Sequence, residues 1–211
     1  MITKGITMGI RETLRQRENG FTIVELLVVV VVIIILASVV LVTYPGYVRS
    51  TRDNTRKSDL QQISSALTAY AIKNNNYIDS TSTDGSGNHC GYTGLGNGWF
   101  NQGPDAYFPA TIATCLKNSG VLSNVIVDPS GCVTSSGGAC STSDGSTTAY
   151  MKATCTLNST PVTYVFAHLE TQSRRDSTID ALCDAGSVAG FTSSSQKWGS
   201  TYGMNYYVTV K

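Results

Sequence analysis

Apolar and polar positions divide the chain into unlike parts. From Leu26 to Val42 runs a stretch of 17 residues in which Ser38 is the one polar member. By intrinsic propensity its centre reads as strand, since every residue from Val28 to Ile35 is β-branched. Length and solvent reverse that reading. A run this long fits lipid, where each backbone N–H and C=O must be satisfied within the segment. As a helix, Phe21 to Val42 extends about 33 Å at 1.5 Å per residue. That crosses a hydrocarbon core of about 30 Å. A cleaved secretory signal fits less well, because the apolar run is too long and lacks a small-x-small cleavage site. Charge does not orient the span: Lys4, Arg11, Arg15 and Arg17 precede it, and Arg49, Arg52, Arg56 and Lys57 follow.

Beyond Tyr44-Pro45-Gly46-Tyr47 the pattern becomes amphipathic. Leu60, Ile63, Leu67 and Tyr70 share one helical face, widened by Ala66 and Ala71. Pro45 lacks an amide donor and Gly46 adds freedom, so a kink or melted turn is expected there. Arg49, Arg52, Asp53, Arg56, Lys57 and Asp59 form a charged collar, read as a solvated helix face or as a surface for charge pairing between subunits. One long helix over about 21–75 follows, ended by Asn74-Asn75-Asn76.

A Gly-rich stretch runs from Ser80 to Gly103. Leu116, Val121, Leu122, Val125, Ile126 and Val127 suggest a short helix and then an extended segment, closed by a turn at Asp128-Pro129-Ser130-Gly131. Strand signals follow at Ala149–Leu157, Val162–Leu169 and Tyr202–Val210. Three antiparallel strands laid on the helix give an α+β body.

Composition narrows the function. Charged residues make up 14% and the net charge is +1, which offers nucleic acid no basic face. Six cysteines, Cys90, Cys115, Cys132, Cys140, Cys155 and Cys183, all lie in the second part of the chain. An even count without any Cys-x-x-Cys pair suits disulfides in an oxidising compartment better than zinc. Loop length pairs Cys132 with Cys140, Cys155 with Cys183 and Cys90 with Cys115, one of about 15 connectivities. No catalytic set stands out. His89 and His168 are far apart, and His168 reads as a half-buried strand residue. Asp84-Gly85-Ser86-Gly87-Asn88 places oxygens at alternate positions as calcium loops do, but lacks the sixth-position Gly and distal Glu, and reads as a surface turn. Neither an enzyme, nor a cofactor, nor a metal is expected.

The residues before the span are the most specific: Asn19-Gly20-Phe21-Thr22-Ile23-Val24-Glu25-Leu26-Leu27. They resemble the processing site of type IV prepilins and type II secretion pseudopilins, in which a basic leader ends in Gly, the mature chain starts with Phe, and Glu is its fifth residue. The resemblance implies cleavage between Gly20 and Phe21 by a membrane-embedded prepilin peptidase and methylation of the Phe21 amine. It divides the chain into a leader (1–20), a long helix (21–75, with 21–44 in the membrane and later the filament core) and a globular head (76–211). It implies a pilin-like fold. A carboxylate at the edge of a span needs a partner. For Glu25 the resemblance supplies the N-terminal amine of a neighbouring subunit.

The expected function is a structural subunit of a surface filament, in the inner membrane before assembly and outside the cell afterwards. Adhesion, motility and DNA uptake are its candidate roles. Self-association, the peptidase and the pilus assembly machinery are the implied partners. A minor pilin or pseudopilin is the second reading. A signal-anchored binding domain is the third, and it needs neither Gly20-Phe21 nor Glu25.

Overall fold

The computed structural model describes residues 20–101, 106–130, 148–172, 176, 178–191 and 197–211. Helix α1 runs from Ile23 to Asn74. By internal contacts the chain separates into two units at Tyr44 and Pro45, and each is taken by itself.

In the first unit, the apolar part of α1 is exposed on every side: none of its most apolar 18-residue window is buried. It belongs to a helix long and apolar enough to cross a membrane. Isolated in water, so many β-branched residues would give a poor helix. Lipid leaves the backbone no other partners and removes that choice. At Pro45 the helix is continuous, so the expected melted turn does not form.

The second unit begins with the amphipathic part of α1 and adds β1 (Gly98–Trp99), α2 (Ile112–Asn118), β2 (Met151–Leu157), β3 (Thr160–Ala167) and β4 (Tyr206–Val210). The sheet order is β1-β2-β3-β4, and every pair is antiparallel. Asn75 ends α1 in the left-handed region, at φ 56°. Asparagine tolerates that conformation at a helix end.

Both faces of the sheet are covered, and the alternation of its side chains sorts them. Val165 and Ala167 of β3 join Leu60, Ile63, Leu67 and Tyr70 of α1 in one cluster, with Ile112 and Leu116 of α2. Tyr164 and Phe166 point the other way, into a second cluster with Met151, Ala153, Ile179 and Trp198. Cys90–Cys115 ties the loop after α1 to α2, and Cys155–Cys183 ties β2 to the chain beyond β3. These are two of the three expected pairs. Cys132 and Cys140 lie outside the described residues. Each bridge stabilises the body by roughly 2–4 kcal/mol, mainly by restricting the unfolded chain.

The strand ends differ from their apolar signals: β2 and β4 are shorter, and β3 keeps the expected length but lies two residues nearer the N-terminus. β3 stops at Ala167, and two residues on the Leu169 backbone N–H bonds the Asn205 side chain at 2.7 Å in place of a strand partner. His168 is therefore not a strand residue. It is 5% exposed, with Nδ1 2.7 Å from the Gly203 carbonyl. β4 starts only at Tyr206, after a turn through Gly203. Pro161 sits inside β3 but beyond the reach of β4, whose pairing begins at Thr163, so its missing donor breaks no ladder.

The described part of the Gly-rich stretch sends Cys90 and Phe100 into the core and contains β1, which the sequence did not announce. Gly96 has φ +74°, and a Cβ there would lie 2.4 Å from the Ile78 carbonyl oxygen, so only glycine fits. Lys152 of β2 holds this loop. It is 0% exposed, and Nζ donates to the carbonyls of Ile78 (2.9 Å) and Gly96 (2.6 Å) and to Thr154 Oγ1 (2.9 Å). Burial pushes the Lys152 ammonium down to about 7, with Asp79 acting against it.

The charged collar faces inward, which corrects both readings of it for four residues. Arg56 is fully buried. It forks onto Asp128 and also reaches Asp53 (3.0 Å) and Glu170 (2.7 Å). Arg52 adds a second fork onto Glu170. Asp53 accepts the backbone N–H groups of Glu170 and Thr171, both at 2.8 Å. Asp59 takes the Tyr150 hydroxyl at 2.5 Å. Burial works to lower the Arg56 guanidinium; Asp128 and Glu170 outweigh it and raise it. Arg52 and Arg56 together hold Glu170 down, to about 2. Of the collar, only Arg49 is fully exposed, and Lys57 lies 5.7 Å over the Tyr206 ring.

Candidate functional site

The site is the start of α1. Gly20 precedes the helix, and a Cβ added to it would meet nothing within 4 Å. The fold therefore makes no demand for glycine at this position. Phe21 is 85% exposed, so its ring contributes nothing to packing within the subunit. Thr22 stands at the N-cap, directly before the first helical residue, and Glu25 is the third residue of the helix.

Thr22 and Glu25 close a reciprocal pair. The Glu25 backbone N–H donates to Thr22 Oγ1 at 3.2 Å, while Glu25 Oε2 accepts both the Thr22 backbone N–H and hydroxyl at 2.8 Å. This capping box satisfies donors that a helix start otherwise leaves open. It matters more at a membrane edge, where water competes poorly for those groups. The negative carboxylate also lies at the positive end of the helix dipole. Thr22 was not among the expected site residues, although its Thr-x-x-Glu spacing is written in the sequence.

Glu25 is also the only acidic or basic side chain between Phe21 and Val48. Its carboxylate has further acceptor capacity beyond Thr22, since an ionised carboxylate offers about four lone-pair sites. A cation arriving from outside the subunit could share it without breaking the cap.

The family model of the prokaryotic N-terminal methylation motif matches residues 15–41, a span that contains Gly20, Phe21, Thr22 and Glu25. The chain carries the hallmark of type IV pilins and pseudopilins. Its long apolar N-terminal helix, antiparallel sheet and two described disulfides fit the α+β pilin-like architecture. The motif implies prepilin peptidase processing and assembly into a pilus-like filament. Neither curated proteins nor solved structures give a match to the chain.

The other candidate residues of this pilin-like chain do not converge. His89 is exposed, in a bridge with Thr83, whereas His168 is buried against Gly203. In the Asp84 loop the carboxylate is taken up by the turn itself: Oδ1 accepts from the backbone of Ser86 and Asn88, and Oδ2 from the Asn88 side chain. Among the described residues no three His, Cys, Asp or Glu side chains are grouped to hold a metal.

Proposed function

We propose that this chain is a structural subunit of a type IV pilus-like filament, cut between Gly20 and Phe21 and methylated on the new Phe21 amine. One observation carries the reading. The unburied, membrane-length apolar part of α1 has a single carboxylate, Glu25, three residues past the N-cap and five residues past an unconstrained glycine. A simple anchor needs neither feature.

Before cleavage the apolar part of α1 is satisfied by lipid. Removal of residues 1–20 creates a cationic amine at Phe21, close in depth to Glu25. When a subunit leaves lipid for a filament core, its Glu25 carboxylate loses solvation and gains a neighbour's amine. A subunit at the wrong axial step has a buried charge with no partner, which costs several kcal/mol. The pair therefore sets the axial register, and apolar contact among helices supplies the bulk of the association.

Mass spectrometry of subunits sheared from the surface of the native host tests the reading. The expected chain begins at Phe21 and, with its disulfides reduced, is heavier than its sequence by one CH2, a methyl in place of a hydrogen. A surface chain that keeps residues 1–20, or one that begins elsewhere, would overturn it.

A further inference from the structure

We propose that the cleft between the end of α1 and the loop that follows it is a binding site for a neutral sugar. The cavity measures about 370 Å³ and is lined by Tyr70, Asn74, Asn76, Tyr77, Thr83 and Asn118, with only Ser, Thr and Gly residues completing the wall. Its size lies at the lower end of small-molecule pockets, about 300–1,000 Å³, which suits one or two sugar rings.

Charge decides the ligand class. No lining side chain is ionisable apart from the two tyrosines, so a phosphate or a carboxylate would find no counter-charge in the wall itself. The nearby charges of Lys73 and Asp79 are opposite in sign and lie behind the wall, so together they favour no net charge in the ligand. Lys73 Nζ donates to the Ser119 carbonyl at 2.6 Å. Asp79 Oδ1 accepts the Thr81 backbone N–H (2.8 Å) and hydroxyl (2.7 Å), and Oδ2 accepts the Asn76 amide.

The asparagines are held in one sense. Asn74 donates its amide to the Tyr70 carbonyl at 2.9 Å, Asn118 donates to the Asp84 carbonyl at 2.5 Å, and Asn76 donates to Asp79. With each amide nitrogen engaged, each side-chain oxygen is left as an acceptor for a hydroxyl. The Tyr77 ring adds an apolar face with a polar tip, and the C–H faces of a sugar ring are suited to it. A neutral polyol fits this set of acceptors, hydroxyls and aromatic surface better than any charged ligand.

Binding by the single subunit stands apart from the filament reading. Only its amplification through many copies on one filament rests on that reading. The test uses the full processed chain in a detergent without sugar. Saturation-transfer NMR is run against the methyl glycosides of glucose, galactose, mannose and N-acetylglucosamine, with glucose 6-phosphate as the charged control. Saturable binding of at least one glycoside is expected, weakened about tenfold by Tyr77→Ala and measurably by Thr83→Val. Should Tyr77→Ala unfold, Thr83→Val with an unchanged unfolding temperature decides alone. No saturable signal from the four glycosides, equal binding by the folded variants, or tighter binding of glucose 6-phosphate would overturn the proposal.

Discussion

Arg56 and Asp128, 72 positions apart, meet as a fork, with Nε 2.7 Å and Nη2 3.1 Å from the two carboxylate oxygens. Removing the guanidinium leaves Asp128, Asp53 and Glu170 grouped without their central cation. Arg56→Met is therefore expected to destabilise the body by roughly 3–5 kcal/mol. Arg56→Met with Asp128→Leu should recover part of that loss, because one uncompensated charge is gone. Urea unfolding of the detergent-solubilised chain, followed by Trp99 and Trp198 fluorescence, measures both. Equal stability of the single and double variants would show that the fork is not the source of the effect.

Glu170 gives the network a signature in pH. Its carboxyl sits at about 2 in the folded body against an ordinary 4.5, held down by Arg52 and then Arg56. Between those values the unfolded chain binds the extra proton, so stability falls as pH falls from about 4.5 to about 2. Burial raises Asp59, which works in the opposite sense in its own range. The comparison is therefore between the native chain and Glu170→Gln. Unfolding temperatures of the two should converge as the pH is lowered through this window, and a constant gap would contradict the assignment.

Lys152 carries a slope of the same sign in a higher pH range. Its folded value of about 7 lies below the ordinary 10.5, so the unfolded chain holds the proton longer and stability rises with pH above about 7. Lys152→Met should cost roughly 1–3 kcal/mol, because the Ile78 and Gly96 carbonyls lose their donor. It should also flatten the rise. Unfolding midpoints for both chains between neutral and mildly alkaline pH check the two effects together.

Much of this fold was readable locally, and what was missed shares a cause. Leu60, Ile63, Leu67 and Tyr70 announced a buried helix face because their spacing is the helix period itself. The strands showed through β-branched and aromatic alternation, although the end of β3 depended on Asn205, which is distant from it in sequence. Arg56 and Asp53 looked like solvated helix charges because Asp128 and Glu170 lie more than 70 positions away. The burial of Lys152, between Met151 and Ala153, was likewise not legible. Its acceptors are backbone carbonyls, and those carry no sequence signature. At the N-terminus, Gly20, Phe21 and Glu25 were legible as a spacing. Thr22 was equally visible as Thr-x-x-Glu, the spacing of a capping box.

Processing can be separated from folding at Gly20. A side chain there has open space in the subunit. Gly20→Leu should thus leave the body unchanged while blocking access of the peptidase to the bond before Phe21. Expressed in the native host, it should accumulate in the membrane as the uncut precursor, with the unfolding midpoint of the native precursor. Mature chain at the usual level would mean that the glycine is not what the peptidase reads.

Glu25 has two roles that one substitution pair can divide. Glutamine at the third helical position still closes a capping box with Thr22 but carries no charge, whereas valine removes the charge and the side-chain half of the box and keeps the bond from its backbone N–H to Thr22 Oγ1. If the charge is what a neighbour's Phe21 amine requires, Glu25→Gln and Glu25→Val should fail alike. The decisive measurement is the yield of sheared filament from a native host expressing Glu25→Gln alone, beside the amount of subunit cut at Phe21 in its membrane. The account predicts normal cutting and little or no filament. Filament at the native level from Glu25→Gln would show that Glu25 serves as a helix cap, and would contradict its role in assembly.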